Sequence, residues 1–143
     1  IRVWNAVSLL GRYRSHDWTV KADPDTVFFP ERLRDVLGRE PAAAATALLE
    51  HPAGVYLNNC RFGLHGPLEV ISRAGATTFL RSLSACEDIR KRPFGEDEYI
   101  RHCLEQLGVR RVDEFGLLRE SACHQAVVPC TARAVSFHPF KSP

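Results

Sequence analysis

The 143-residue chain contains no methionine, and it begins at Ile1. Because translation starts with methionine, we expect a processed or partial chain, so a missing leader or anchor says nothing about the full-length protein. No uninterrupted apolar run approaches the roughly 18 residues that a membrane span requires, and no signal peptide is visible. The sequence therefore predicts no membrane span within this chain.

The chain also lacks a strong excess of charge of either sign. Its formal net charge is +2, from 19 Lys and Arg against 17 Asp and Glu. This balance argues against nucleic acid as an obligate partner, since nucleic-acid-binding domains carry a basic patch or excess. With 45% hydrophobic and 25% charged residues, the composition is that of an ordinary globular protein large enough to bury one core.

Five cysteines are more than an average cytosolic chain of this length carries, and they form neither a Cys-x-x-Cys pair nor a zinc-ligand spacing. One interpretation is a lumen of the secretory pathway (endoplasmic reticulum or Golgi) or of another organelle, with one or two disulfides. The other is a set of buried free thiols. We prefer a bridge between Cys123 and Cys130, which flank a short loop containing a proline. The odd count leaves at least one cysteine free or paired outside the chain.

Apolar spacing predicts helices alternating with strands along the whole chain. The predicted helices cover about 3–10, 30–37, 42–50, 73–83 and 97–107, and the predicted strands cover 18–22, 55–57, 68–71, a short stretch within 109–118, and 132–137. No repeat or low-complexity linker interrupts them. This pattern predicts one α/β domain over residues 1–143, with a mixed sheet flanked by helices. The residues able to do chemistry fall where strands end, which is where open α/β sheets bind ligands.

Asp23-Pro24-Asp25 directly follows the predicted strand 18–22. Two carboxylates spaced i and i+2 after a strand are suitable ligands for Mn²⁺ or Mg²⁺, and such a cation can neutralise a diphosphate leaving group. The alternative is a polar turn, because Asp-Pro-Asp also has the chemistry of a turn.

Three separated blocks of the sequence resemble one enzyme family. Trp18–Thr26 is similar to the metal-binding block Trp-x-x-Lys-Ala-Asp-Asp-Asp-Thr of the fringe and core-1 β-1,3-galactosyltransferase family. Gly95-Glu96-Asp97, followed by Cys103-Leu104 and Gly108-Val109, resembles the Glu-Asp block of that family, and Phe137–Phe140 resembles its late Phe-His-Pro-Phe. The blocks occur in the family's order and with approximately its spacing over residues 1–140.

The resemblance implies the C-terminal part of a GT-A glycosyltransferase fold and an inverting transfer from a nucleotide sugar, usually a UDP-sugar with Mn²⁺, to a glycan or protein acceptor. By position, Asp23 and Asp25 would face the metal and the ribose-diphosphate, with Lys21 beside them at the nucleotide. His138 would be the late metal ligand. An imidazole beside two carboxylates favours Mn²⁺ over Mg²⁺.

The same resemblance implies that Asp97, or as second choice Glu96, is the general base that deprotonates the acceptor hydroxyl. Attack at an anomeric carbon needs a base on the acceptor side and a cation on the diphosphate side, so two separate carboxylate clusters are expected. Without that role, Glu96 and Asp97 would be favourable charges in the first turn of a helix. His138 would then be a strand-end imidazole held in a turn.

The chain departs from the family pattern at three points. Pro24 replaces the middle Asp, and residues 64–72 correspond only loosely to a Gly-Gly-Ala-Gly-Tyr-Val-Leu-Ser acceptor block, with a charge at Glu69. Within that loop, we expect backbone groups to be the hydrogen-bond partners of His65. The N-terminal portion that forms much of a GT-A nucleotide pocket is absent from this chain. A second hypothesis is therefore a catalytically inactive module that binds protein partners in a larger assembly, and a third is a carbohydrate-binding module without turnover.

Overall fold

Helices and strands alternate in the computed structural model, which describes residues 2–38, 50–123, 129 and 132–140. The helices are α1 (Arg2–Leu10), α2 (Pro30–Leu37), α3 (Arg73–Arg81), α4 (Glu87–Arg90) and α5 (Glu96–Gln106). The strands are β1 (Trp18–Ala22), β2 (Val27–Phe28), β3 (Val55–Asn58), β4 (Leu68–Ser72), β5 (Arg110–Asp113), β6 (Leu118–Arg119) and β7 (Ser136–Phe137). Apart from Glu50, the helix predicted at 42–50 lies outside the described residues. The strand predicted at 132–137 is shorter than expected.

Local signals explain where several of these elements begin and end. Helix α1 ends at Gly11, whose φ of 65° lies in the left-handed region that glycine adopts at low cost. Helix α2 starts with Pro30, which needs no hydrogen-bond partner for a backbone N–H at that position. Helix α3 is capped by Ser72, whose hydroxyl accepts a hydrogen bond from Gly75 N.

The strands form two mixed sheets. A four-stranded sheet has the order β1-β4-β3-β5, in which β4 is antiparallel to both neighbours and β5 is parallel to β3. A three-stranded sheet has the order β2-β7-β6, with β2 antiparallel and β6 parallel to β7. The α/β class with mixed strand pairing is confirmed, but the expectation of a single sheet is wrong. The turn after β1 redirects the chain, so that β2 begins the second sheet.

Strand β4 separates the two hydrophobic cores, and all its residues are buried. Because side chains alternate along a strand, Leu68 and Val70 face the second sheet and α2, whereas Glu69 and Ile71 face α1, α3 and α5. The larger core, on the helix side, includes Trp4, Tyr13, Tyr56, Ile71, Phe79, Ile100 and Leu104. The smaller core includes Leu33, Leu57, Leu68, Val70, Leu117 and Val135.

Glu69 is a fully buried carboxylate on the helix side of β4. Trp4 Nε1 donates a hydrogen bond of 2.7 Å to Glu69 Oε2, and Lys21 Nζ lies 3.4 Å from Glu69 Oε1. The antiparallel register sets Lys21 directly opposite Glu69 on the neighbouring strand. Burial raises the pKa of Glu69 to about 7, although Lys21 and Trp4 partly offset the rise.

Two disulfides connect the core segments. Cys60 pairs with Cys123 and Cys86 pairs with Cys103, with Cα–Cα distances of 5.4 and 5.5 Å. The preferred bridge between Cys123 and Cys130 is therefore wrong, because spacing in the sequence does not reveal which cysteines the fold brings together. Cys130 itself lies outside the described residues. Two disulfides suit a secreted or lumenal protein, since such compartments are oxidising.

None of the helices among the described residues is long and apolar enough to cross a membrane.

Helix α3 approaches β3 closely at two glycines. Gly54 has a φ of +80°, and a Cβ added to it would lie 1.9 Å from Gly75 N. A Cβ added to Gly75 would lie 3.0 Å from Val55 O. The glycines therefore allow backbone-to-backbone packing that no other residue would permit without a shift of the helix.

Gly54→Ala is expected to lower the free energy of unfolding by about 2–5 kcal/mol, because it combines left-handed strain with a backbone clash. Gly108→Ala is the matched control, since Gly108 has a φ of +74° but nothing within 4 Å of its added Cβ. This control should lose only about 1–2 kcal/mol. Urea unfolding of both variants measures the difference, and equal losses would contradict the close packing of α3 on β3.

The carboxyl group of Glu69 is expected to titrate near pH 7 by ¹³C NMR. Its folded pKa lies above the unfolded value of 4.5. The stability linked to its neutral form is therefore fully present below the unfolded pKa and is lost as the pH rises through about 7. Glu69→Gln should remove about 3 kcal/mol of pH dependence between these limits. A carboxyl midpoint near 4.5, with unchanged pH dependence in Glu69→Gln, would refute this.

Candidate metal centre

The central strand of the three-stranded sheet, β7, leads directly into His138. Strands β2 and β6 flank β7, so the residues next to their ends are neighbours of His138. His138 N donates a hydrogen bond of 3.1 Å to Arg119 O, and Phe140 N donates one of 2.7 Å to Asp25 O. Strand pairing thus places His138 between Asp25, which precedes β2, and Glu120, which follows β6.

The Asp-Pro-Asp segment forms the turn that links the two sheets. Thr26 N donates a hydrogen bond of 3.0 Å to Asp23 O, which closes a four-residue turn between β1 and β2. Pro24 occupies the second position of this turn, where its fixed φ is favoured. Asp23 N is held by Pro67 O at 3.1 Å. Pro24 therefore stiffens the turn that presents Asp23 and Asp25.

Asp23, Asp25 and His138 form one cluster of possible ligands. Each offers one ligand atom, these atoms lie within 4.8 Å of one another, and all three residues are partly buried. His138 Nε2 is 3.2 Å from Asp25 Oδ1. Two carboxylate oxygens and one imidazole nitrogen are suitable ligands for Mn²⁺ or Mg²⁺. The structure thus brings together the three residues that the sequence indicated as metal ligands.

Lys21 lies beside this cluster, and its ammonium group contacts three oxygen atoms of the protein. Its Nζ is 2.7 Å from Asp23 Oδ1, 2.8 Å from Gly66 O and 3.4 Å from Glu69 Oε1. Burial by itself lowers the pKa of Lys21, but the charges of Glu69 and Asp23 outweigh it and raise the pKa above 10.5. Lys21 is therefore a permanent positive charge next to Asp23, and its contact with a nucleotide stays a prediction.

Glu120 is the residue of this site that the sequence reading missed. Its side chain is only 9% exposed, with Oε1 3.0 Å from His138 Nδ1 and Oε2 2.8 Å from His65 Nε2. Both contacts have ion-pair distances, but the angles leave His138 Nδ1 and Glu120 Oε2 without a well-formed hydrogen bond among the described residues. Its position directly after a strand could have indicated Glu120 as a site residue, since the same position indicated Asp23 as a metal ligand.

His65 connects Glu120 to Asp97. Its backbone N donates to Asn59 Oδ1 at 2.8 Å, as expected for a loop histidine, but its ring lies between two carboxylates. His65 Nδ1 is 3.4 Å from Asp97 Oδ2. The expectation that backbone groups satisfy His65 is therefore wrong for its side chain, because partners distant in sequence cannot be read from the loop itself.

Asp97 is held from three sides. Besides the contact with His65, its Oδ2 accepts a hydrogen bond from Gly66 N at 3.2 Å and its Oδ1 accepts one from Glu98 N at 2.9 Å. The His65 hydrogen bond lowers the pKa of Asp97 to about 2, against the effect of burial and with help from the two backbone donors. In return, Asp97 is the main cause that raises the pKa of His65 above 6.5, against burial and with help from Glu120.

Asp23 and His138 of the ligand cluster line the same cleft as Glu96 and Asp97, whereas Asp25 is not among the residues that line it. This cleft has a volume of about 360 Å³ and is lined by Lys21, Asp23, His65, Gly66, Pro67, Glu96, Asp97, Glu120 and His138. Glu96 and Asp97 enter it from the first turn of α5, and the metal-ligand cluster lies where the two sheets meet. A cation and a carboxylate base could therefore act on one substrate from different walls of the cleft.

His65→Gln is expected to raise the pKa of Asp97 from about 2 towards 3.8, because the hydrogen bond from His65 is the largest cause of its depression. A depressed carboxyl pKa contributes stability that is present above the unfolded value and is lost as the pH falls through the folded value. The variant should therefore lose about 1 kcal/mol at neutral pH, with a smaller loss near pH 2.

The measurements are ¹³C NMR titration of Asp97 and urea unfolding at both pH values. His16→Gln is the control, because His16 is exposed and lies outside the cleft. An Asp97 titration that is identical in wild type and His65→Gln would show that His65 does not stabilise the carboxylate.

No protein-family model matches the chain, and neither a curated protein nor a solved structure matches it. A function is therefore inferred from the three sequence blocks and from the geometry of this cleft.

Proposed function

We propose that this chain is the C-terminal catalytic portion of a metal-dependent, inverting glycosyltransferase. It would transfer a sugar from a UDP-sugar to a hydroxyl group of a glycan or protein acceptor. The observation that carries the proposal is the convergence of Asp23, Asp25 and His138, which come from opposite ends of the chain, within 4.8 Å of one another. The Glu96–Asp97 pair lines the same cleft as two of them, Asp23 and His138, which the two-sided chemistry of glycosyl transfer requires.

Asp23, Asp25 and His138 would hold the cation. When bound, a cation there supplies positive charge that stabilises the departing diphosphate. Lys21 adds a fixed positive charge and holds one oxygen of Asp23, so that the other oxygen faces a single direction. The pairing of β7 between β2 and β6 keeps His138 and Asp25 in place without help from a ligand.

On the acceptor side, Glu96 or Asp97 would accept the proton of the attacking hydroxyl. The new bond forms between that oxygen and the anomeric carbon as the bond from this carbon to the diphosphate oxygen breaks, which inverts the configuration. Asp97 is ionised at all physiological pH values, but a pKa of about 2 makes it a weak base. Glu96 is exposed on the same cleft and is therefore the second candidate.

The endoplasmic reticulum or Golgi lumen is the compartment we propose for this activity. Its support is the pair of disulfides, Cys60–Cys123 and Cys86–Cys103, which persist in an oxidising lumen.

One observation favours the inactive module as a second candidate. The ammonium group of Lys21 is 2.7 Å from Asp23 Oδ1, so a cation has to bind beside an existing positive charge. If this ion pair replaces the cation, the cluster stabilises the junction of the two sheets and the chain serves as an interaction subunit for protein partners.

Mn²⁺ binding, followed by electron paramagnetic resonance of the free ion, tests the metal centre in the chain as it stands. Asp25→Asn should weaken binding by at least about tenfold, because it removes the charge of one ligand. Asp35→Asn is the matched control, since Asp35 is exposed on α2 and outside the cluster. Asp35→Asn should bind Mn²⁺ with the affinity of wild type. Equal Mn²⁺ affinities in wild type, Asp25→Asn and Asp35→Asn would refute the metal centre.

Titration calorimetry with UDP tests the transferase. Binding of UDP should require Mn²⁺ and should be lost in Asp25→Asn. Mn²⁺ binding at the centre without any Mn²⁺-dependent UDP binding by the full-length protein would reject the transferase and favour the interaction module. If UDP binds, turnover in Glu96→Gln and Asp97→Asn identifies the base, and only the Asp97 variant should also lose stability.

A further inference from the structure

A second depression lies next to the cleft, and the chemistry proposed above does not use it. It has a volume of about 370 Å³. Its walls come from the start of α1, from α4 with the loop that follows it, and from the start of α5, and they include Arg2, Ile89, Arg90, Arg92, Phe94 and Tyr99. Glu96 lines both this depression and the cleft, so the two are neighbours. We call the depression the arginine pocket.

Three guanidinium groups give the arginine pocket an excess of positive charge. Arg90 lies 3.6 Å from the carboxylate of Glu87, but its side chain is 60% exposed, so this ion pair is weak. In the part of the chain that the structure describes, Arg2 and Arg92 have no ion-pair partner. Against the three arginines, the lining contains one carboxylate, that of Glu96. The pocket is therefore suited to an anion.

Lys91 belongs to the same basic segment but not to the arginine pocket. Its Nζ is 2.6 Å from Asp88 Oδ1, and it is not among the residues that line the pocket. The fold thus separates the two arginines of this segment, which line the pocket, from the lysine between them. This difference within three consecutive residues provides a matched control for any effect of charge.

The floor of the arginine pocket is apolar and partly aromatic. Ile89 and Tyr99 are each only 6% exposed. The ring of Phe94 is stacked on the ring of His102, with 4.8 Å between their centroids. Such a floor packs against the apolar face of a ring in a ligand, whereas the arginines bind its charged group.

The frame of the arginine pocket is held by covalent and backbone contacts. The Cys86–Cys103 disulfide ties the residue that precedes α4 to α5, so two of the walls are crosslinked. In the loop between these helices, Arg92 N donates a hydrogen bond of 3.0 Å to Ile89 O, and Phe94 N donates one of 2.8 Å to Arg92 O. A pocket fixed in this way loses little conformational entropy when a ligand binds.

The chemistry of the lining indicates the class of ligand. Guanidinium groups bind carboxylates and sulfates through paired hydrogen bonds and keep their charge at all relevant pH values. Arginines around an apolar floor match a ring that carries an anionic group. Because Glu96 also lines the cleft, a glycan that reaches the Glu96–Asp97 pair continues into the arginine pocket.

We propose that the arginine pocket binds an acidic sugar residue of the glycan acceptor, a pyranose that carries a carboxylate or a sulfate. The assignment to the acceptor rests on the proposed function, which places the acceptor at Glu96 and Asp97. Binding of the acidic sugar itself needs neither a cation nor UDP.

NMR titration of the chain without metal tests the arginine pocket with two matched ligands. Methyl β-glucuronide and methyl β-glucoside have the same ring and differ in the carboxylate. The glucuronide should shift the backbone amide signals of Arg92, Gly95 and Tyr99 until saturation, and the glucoside should not. Methyl β-glucoside 6-sulfate is the third ligand, and the tighter of the two acidic sugars identifies the preferred anionic group.

Arg92→Gln should raise the Kd of the preferred acidic sugar about three- to tenfold, because it removes one charge together with its hydrogen bonds. Lys91→Gln is the matched control, since it makes the same change of charge one residue away from the pocket lining. Its Kd should equal that of wild type. Both side chains are exposed, so both variants should fold, and urea unfolding verifies this.

The outcomes separate this inference from the proposed function. Equal binding of glucoside and glucuronide, no binding of either acidic sugar, or equal weakening by Arg92→Gln and Lys91→Gln would overturn the sugar site. A glutamate-rich peptide that binds at these residues when neither acidic sugar does would point to an acidic protein instead. If Mn²⁺-dependent UDP binding fails but the acidic sugar binds, the transferase is rejected, the sugar site stands, and the chain is a carbohydrate-binding module.

Discussion

The pairing of β7 between β2 and β6 is the interaction on which the site depends. It involves only two residues of each strand, yet it joins the turn after β1 to the C-terminal part of the described chain. Through it, His138 gains Asp25 on one side and Glu120 on the other. Without this sheet, the carboxylates of the turn would have no imidazole near them, and the cleft would lose one of its walls.

Charge compensation is the second constraint that shapes the cleft. Glu69 and Asp97 are buried or partly buried carboxylates that accept hydrogen bonds, and Glu120 lies at ion-pair distance from two histidines. The partners come from other elements, so each contact also connects parts of the fold. Trp4 Nε1, for example, joins α1 to the central strand by its hydrogen bond to Glu69. The polar network that could serve catalysis therefore also stabilises the junction of helices and sheets.

The sequence was most informative about features that are determined by residues close together in the chain. The strand 18–22, the turn after it, the cap at Ser72 and the α5 start after Gly95 all follow from residues close in sequence. The ligand candidates Asp23, Asp25 and His138 were found because each follows or precedes a strand in a block that resembles one family. Their convergence needed the structure, since short strands carry no information about their partners.

The missed features all depend on contacts between distant segments. Glu120 and His65 meet through the fold, and neither the loop around His65 nor the end of β6 indicates the other. The division into two sheets and the Cys60–Cys123 bridge escaped prediction for the same reason. Alternation of apolar residues reports which face of a strand is buried, but it does not report which strand or which cysteine lies alongside.

The metal centre is the central claim, and paramagnetic NMR tests it most directly. Small additions of Mn²⁺ broaden signals of nuclei near the bound ion. The centre predicts that the side-chain signals of Asp23, Asp25 and His138 disappear first, while those of exposed acidic residues on α2 persist. Selective broadening elsewhere, or uniform broadening of all exposed carboxylates, would contradict a metal site at the junction of the two sheets.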